Sequence, residues 1–187
     1  FQGVKRLRLL NWEKFPVDPA SIDAVVLTHA HVDHSGYLPG LVRDGFDGRI
    51  WCTHSSAALA GILLPDTAHL QEEDARYANK HRSSRHDPAL PLFTGADAER
   101  ALDFLHPHPF DEPFEVAPGV QGRFSRAGHI LGAASVRLDD GQRSVLFTFP
   151  PPPRVLTAVN AAAPESSPCE PAALTTTVHA ASVESSP

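Results

Sequence analysis

Short apolar runs bounded by polar or turn-forming residues recur along the chain and predict the strands of the fold. The run at residues 24–28, Ala-Val-Val-Leu-Thr, is rich in β-branched residues and is typical of a strand buried on both faces. A second run, Arg-Ile-Trp-Cys-Thr, predicts a strand at residues 49–53. Later strands are predicted at 114–116, 122–126, 133–138 and 144–148, and the last two flank the hairpin turn Asp139-Asp140-Gly141-Gln142.

Helices are predicted between these two groups of strands. A short one covers residues 37–43, with Gly45 as its stop signal, and another begins at the cap Ser55 and runs to about residue 63. Pro65 is expected to interrupt that helix before a further one over 66–79, because proline lacks the amide donor and clashes with the preceding turn. A last helix runs from a capping box at Thr94 and Asp97 to about residue 104. Strands, helices and further strands in this order predict a mixed α/β layered fold.

Composition changes sharply after residue 149. The segment 150–187 contains 8 of the 18 prolines and none of the 12 glycines, and it has few large apolar residues. Such a segment buries too little surface to offset its ordering entropy, so we expect disorder there and a globular domain over 1–149. The chain has no methionine, even at position 1, so we expect it to be a piece of a longer reading frame.

Charge and cysteine content narrow the class of protein. The net charge of −6 and the isoelectric point near 6.0 do not favour a basic nucleic-acid-binding surface, although bound metal ions can supply local positive charge. Cys52 and Cys169 form no close pair, which argues against a disulfide scaffold. No apolar run approaches the roughly 18–20 residues that span a bilayer, so a cytoplasmic protein without a membrane segment is expected.

A dense group of potential metal ligands follows the first predicted strand. His29-Ala30-His31-Val32-Asp33-His34 places three imidazoles and one carboxylate within six residues, on a loop predicted over 29–36. Imidazole nitrogens and carboxylate oxygens are good zinc ligands. His29 and His31 point to one side of an extended backbone, whereas adjacent Asp33 and His34 cannot both do so. The density of potential ligands therefore favours a metal site over a polar surface loop. Their spacing favours two neighbouring metal ions over one.

His129 is a further candidate ligand. It lies in Ala127-Gly128-His129-Ile130-Leu131-Gly132, where glycines on both sides allow a sharp turn between two predicted strands. A histidine in this position could complete the shell of the first metal with His29 and His31.

These motifs resemble the metallo-β-lactamase superfamily, whose hallmark is His-x-His-x-Asp-His, here residues 29–34. Further segments over residues 1–148 resemble its β-CASP branch, which includes bacterial ribonuclease J and the endonuclease of pre-mRNA 3′ processing. These segments are Phe1-Gln2-Gly3, Leu64-Pro65-Asp66, Gln71–Ala75, Asn79, Pro91–Thr94 and Ala127–Ala133.

The resemblance implies part of an αββα sandwich with a mixed sheet, and two zinc ions. His29, His31 and His129 would bind the first ion, and Asp33 and His34 the second. Asp33 would also orient the bridging water and act as general base. The implied activity is cleavage of RNA by a hydroxide activated between the two metals, with RNA as the substrate partner.

The sequence departs from the family pattern near residue 149. The family expects a strand ending in Phe-Thr-Gly-Asp, whose aspartate bridges both metals, but Phe147-Thr148 is followed here by Phe149-Pro150. We therefore expect the tail to arise from a shifted reading frame. Two alternatives stay open, a small-molecule hydrolase acting on thioesters or lactams, and an inactive metal-binding fragment without the bridging aspartate. The oligomeric state is also open, a homodimer included.

Overall fold

The structure is a computed structural model that describes residues 10–148. The segment expected to be disordered, 150–187, lies outside the described residues, as does Phe1-Gln2-Gly3. The elements in chain order are β1 (Ala24–Val26), α1 (Val32–Ser35), α2 (Leu38–Arg43), β2 (Arg49–Cys52), α3 (His54–His81), α4 (Gly95–Leu102), β3 (Leu105–Pro107), β4 (Pro113–Ala117), β5 (Val120–Arg126), β6 (Ala134–Asp139) and β7 (Ser144–Phe147).

The strands form two sheets that differ in direction. β1, β2 and β3 are parallel in that order, with Val25 opposite Ile50 and Ile50 opposite Leu105. β4 to β7 form an antiparallel meander in sequence order. The predicted α/β class is confirmed, and parallel and antiparallel strands lie in separate sheets.

The parallel sheet has neighbours on both faces, and β2 is largely buried, whereas the residues of β1, predicted to be buried on both faces, are half-buried. On one face Ile50 and Cys52 pack with Leu41, Phe46 and other side chains of the α2 region and with Ala101 of α4. On the other face Trp51 packs against the antiparallel sheet, whose inward side chains include Phe114, Phe124 and Val136. The result is three layers, helices, parallel sheet and antiparallel sheet, which form part of the expected αββα sandwich.

The helix α3 runs unbroken through Pro65, so the predicted interruption is wrong. Its buried side chains Ser56, Ala60, Leu64 and Ala68 recur every four residues across the proline, and Leu64 packs in a cluster with Phe93 and Ala98. Burial of this continuous stripe outweighs the missing amide donor. The predicted capping box of α4 is confirmed, since Thr94 accepts from the Asp97 amide and Asp97 accepts from the Thr94 amide.

Two short elements are absent from the sequence-based prediction. α1 is a single helical turn inside the loop predicted over 29–36, and β3 is a short strand that, within residues 10–148, pairs with β2 alone. No helix within residues 10–148 combines the length and apolar character that crossing a bilayer requires.

Candidate metal centre

The loop that carries most of the candidate ligands leaves the carboxyl end of β1. The Leu27 amide donates to the Trp51 carbonyl at 2.8 Å, which keeps the chain beside β2 up to the first histidine. Beyond it, the buried Ser35 hydroxyl lies 3.0 Å from the Ala30 carbonyl and 3.1 Å from the His31 carbonyl. The start of the loop and the α1 turn are thus fixed from both sides.

Three histidines of this region bring ring nitrogens together. His29 Nε2 lies 3.0 Å from His31 Nδ1, and His129 Nε2 lies 3.2 Å from the same atom. Ligand atoms of all three residues lie within 4.8 Å of one another. Two nitrogens bound at 2.0–2.1 Å to one tetrahedral zinc would be about 3.3 Å apart, so the two short separations match those of a shared ion.

His129 reaches the cluster from the turn between β5 and β6. The Ala127 amide donates to the Ala133 carbonyl and the Ala133 amide to the Ile130 carbonyl, both at 3.0 Å. Gly128 has a φ of +69°, a left-handed conformation that favours glycine. The closed turn therefore projects His129 toward the parallel sheet, as the flanking glycines predicted.

The segment after the His129 turn is also joined to the end of β1, directly before His29. The Ala134 amide donates to the Thr28 carbonyl at 2.9 Å, directly before His29. This bond connects the antiparallel sheet to the end of β1, so the ligands from the two layers have a fixed separation.

Asp33 and His34 lie on α1 and are more exposed than His29. Their side chains face each other, with His34 Nε2 at 3.6 Å from Asp33 Oδ2, and the His34 ring centroid is 4.2 Å from that of His29. They stand beside the three-histidine cluster rather than within it. This is the arrangement that a second, adjacent ion would need, and their assignment as its ligands stays a prediction.

His29 is fully buried and electrically biased toward its neutral form. Its pKa is lowered to about 4, first by burial and then by the neighbouring rings of His34, His31 and His129. Its Nδ1 lies 3.1 Å from the Thr28 hydroxyl, so Nε2 faces the cluster. A neutral imidazole that presents a lone pair is the form that binds a metal ion.

The donor set fits a zinc ion. Three imidazole nitrogens leave a fourth position open, as in catalytic zinc sites, and a carboxylate and a further imidazole lie next to them. Sequence reasoning did not single out Thr28, whose hydroxyl contacts the ring of the candidate ligand His29 and so helps to orient it. Only its position next to His29 could have indicated this.

Other histidines lie elsewhere in the fold. Four of them are exposed on the surface, His54, His69, His81 and His86. His106 lies in β3, and its ring is 5.8 Å from that of Trp51.

Comparisons with known proteins agree with the motif. Residues 8–148 match the sequence profile of the Metallo-beta-lactamase superfamily. The chain is 34% identical over 146 residues to the transcription termination factor FttA of Methanothermobacter thermautotrophicus, which covers 74% of the chain and 20% of the relative. It is 32% identical over 148 residues to a ribonuclease of Thermus thermophilus, which covers 79% of the chain and 30% of the relative.

A plant protein gives a similar match. Cleavage and polyadenylation specificity factor subunit 3-I of Arabidopsis thaliana is 32% identical over 133 residues, which are 71% of the chain and 17% of the relative. The chain thus spans less than a third of the length of each of these relatives.

Proposed function

Because the chain belongs to the metallo-β-lactamase superfamily, as its His-x-His-x-Asp-His motif predicted, we propose that it carries the zinc-binding core of a hydrolase that cleaves RNA phosphodiester bonds. The observation that carries this proposal is the convergence of His29, His31 and His129 within 4.8 Å. The superfamily is metal-dependent, and the relatives of this chain include a protein named as a ribonuclease.

In this proposal the candidate ligands divide into two groups, one for each metal ion. His29, His31 and His129 hold one zinc ion, and Asp33 and His34 hold a second. Zinc, when bound, lowers the pKa of water to about 7 and so makes a nucleophile available at neutral pH. The lowered pKa of His29 keeps its ring unprotonated at that pH, so protons compete weakly with metal at this position.

Asp33 is the residue we assign to proton handling. Its carboxylate is exposed, which leaves it accessible to water and substrate, and His34 Nε2 lies 3.6 Å from it. In this role it orients the attacking water and accepts its proton. The net charge of −6 opposes approach of RNA, so bound cations would also have to attract the phosphate.

RNA is favoured over small substrates by the names of the relatives, a ribonuclease and a cleavage and polyadenylation factor subunit. A hydrolase of thioesters or lactams could use the same ligands, because a fold does not fix its substrate. The sequence Phe147-Thr148-Phe149-Pro150 favours another candidate, a metal-binding chain without turnover, since the family pattern has an aspartate there.

The experiment combines metal content with cleavage of labelled RNA, a thioester and a lactam by the whole chain. We expect bound zinc and cleavage of RNA only, with both lost in His31→Asn and retained in the control His69→Asn, which alters an exposed histidine of α3. Cleavage of the thioester or lactam alone would refute the RNA assignment.

A second variant separates an inactive chain from a wrong substrate. Phe149→Gly combined with Pro150→Asp places an aspartate two residues after Thr148, as the family pattern has it. If the parent chain binds zinc but cleaves nothing, RNA cleavage by this variant would assign the defect to the missing carboxylate. If this zinc-loaded variant is also inactive on RNA, the proposed function is wrong.

A further inference from the structure

We infer that Thr53 and Ser56 are positioning residues that fix the His129 turn for metal binding, an inference that rests on the proposed role of His129 as a zinc ligand. The two hydroxyls, here called the hydroxyl pair, lie at the start of α3. Thr53 Oγ1 is 2.7 Å and Ser56 Oγ is 3.0 Å from the carbonyl oxygen of Gly132, three residues after His129.

The Gly132 carbonyl has a hydrogen-bond donor for each of its two acceptor positions. A carbonyl oxygen accepts two hydrogen bonds and each hydroxyl has one proton to donate, so the hydroxyl pair saturates the Gly132 carbonyl when both protons point to it. The shorter distance, 2.7 Å against 3.1 Å to Ser56 Oγ, favours Gly132 as the acceptor for Thr53. The Thr53 oxygen also accepts from the Ser56 amide at 3.2 Å. Thr53 and Ser56 are 1% and 0% exposed, so water has little access to replace a lost donor.

The backbone at Gly132 is adapted to this contact. Its φ is +81°, and a Cβ atom there would lie 2.5 Å from the Ser56 amide nitrogen and 2.8 Å from Thr53 Oγ1. The absence of a side chain is what allows the carbonyl to approach the hydroxyl pair so closely. A glycine at this position is therefore required by the contact between the His129 turn and the start of α3.

Other backbone contacts also hold the turn that carries His129. The turn is closed at its base by Ala127 and Ala133, and the Ala134 amide donates to the Thr28 carbonyl. The hydroxyl pair adds a second connection, on the side of β2 and α3. The His129 ring is exposed and contacts the rings of His29 and His31 at its inner edge. The backbone contacts fix the turn from which this ring reaches the cluster.

Thr53 both caps α3 and contacts the Gly132 carbonyl, and a substitution of Ser56 can separate these two roles. Thr53 is also the N-cap of α3, so its replacement affects both the helix and the turn. Ser56→Ala removes one donor to Gly132 but keeps the backbone amide that Thr53 caps. Thr94 provides the matched control, because it caps α4 in the same way, accepting from the Asp97 amide at 3.2 Å, and lies in another part of the fold.

The test is a titration of the metal-free whole chain with Co²⁺ and Zn²⁺, with unfolding in urea measured in parallel. Loss of outer contacts to metal ligands typically weakens metal affinity 10–100-fold. We expect Ser56→Ala and Thr53→Val to raise the dissociation constant by about tenfold or more and to alter the visible spectrum of bound Co²⁺. Thr53→Ser, which retains the hydroxyl, should restore both, and Thr94→Val should destabilise the fold without changing either.

The outcomes distinguish this inference from the proposed function. Parent-like zinc affinity and Co²⁺ spectra in Ser56→Ala and Thr53→Val would overturn the positioning role, as would an equal loss of affinity in Thr94→Val. Zinc affinity that depends on the hydroxyl pair, in a chain that cleaves no RNA even with Phe149→Gly and Pro150→Asp, would refute the function alone. A parent chain that binds no zinc would overturn both.

Discussion

At the scale of single residues, Gly132 combines a left-handed φ with a close approach to another segment of the chain. An alanine there would have to adopt a φ of +81° and place its Cβ 2.5 Å from a backbone nitrogen. Gly141 has a similar φ of +83°, but a Cβ added there would meet nothing within 4 Å, so it isolates the cost of the dihedral angle. We expect Gly141→Ala to cost about 1–2 kcal/mol and Gly132→Ala clearly more.

Unfolding in urea would measure both costs. The comparison is matched because both variants add one methyl group at a left-handed glycine. Equal free energies of unfolding for the two variants would contradict the close approach between the His129 turn and α3.

Cys52 tests the burial of β2. Burial raises the pKa of its thiol to about 12, from 9.0 for the ordinary group. The thiolate is the reactive form, so we expect Cys52 to resist alkylation by iodoacetamide at pH 9 in the folded chain and to react in denaturant. Peptide mass mapping would locate the label. Alkylation of Cys52 at equal rates in both conditions would contradict its burial.

The same shift has a consequence for stability. Between pH 9 and about pH 12 the unfolded chain releases the Cys52 proton while the folded chain retains it. The contribution of this thiol to stability is therefore complete below pH 9 and is lost as the pH rises through that window.

At the scale of elements, local sequence predicted most of the fold. The apolar runs of β1 and β2, the capping box of α4 and the turn at Asp139–Gln142 all use interactions between near neighbours. In that turn the Asp140 side chain accepts from the amides of Gln142 and Arg143, as the residue types suggest. Such signals can be recognised without knowledge of the rest of the molecule.

The elements that local sequence did not predict depend on distant partners. β3 consists of Leu105, His106 and Pro107, which have little strand character, and it exists because Ile50 and Cys52 of β2 offer a parallel edge. Likewise α3 continues through Pro65 because buried side chains on both sides of it pack against the α4 region. Packing of this kind overrides local preference.

Pro65 should therefore carry a measurable cost. Proline inside a helix is about 3 kcal/mol less favourable than alanine, and here its missing amide leaves the Gly61 carbonyl without its usual helical donor. We expect Pro65→Ala to stabilise the fold by about 1–3 kcal/mol and to raise the melting temperature. The control Asp66→Ala, at the next and exposed position, should change stability by less than about 0.5 kcal/mol. A destabilised Pro65→Ala variant would contradict a regular helix at this position.

At the scale of the whole molecule, the candidate site forms because the fold brings together histidines from distant parts of the chain. His29 and His31 follow β1, whereas His129 is 98 residues beyond His31 and lies between β5 and β6. The spacing within residues 29–34 indicated metal binding by itself, but His129 gained its weight from that cluster and from the family resemblance. No local pattern could show that its turn meets the end of β1, because the contact forms only when the two sheets pack.

This placement predicts that zinc stabilises the whole fold. An ion held by His29, His31 and His129 would connect the parallel sheet to the turn between two strands of the antiparallel sheet, and it would bind only the folded chain. Free zinc at 100 times its dissociation constant should add about 2.7 kcal/mol to the free energy of unfolding. We expect the urea midpoint to rise with zinc and to return with a chelator. His129→Asn should abolish this gain and His69→Asn should keep it, whereas a midpoint independent of zinc in the parent chain would show that the three rings do not share an ion.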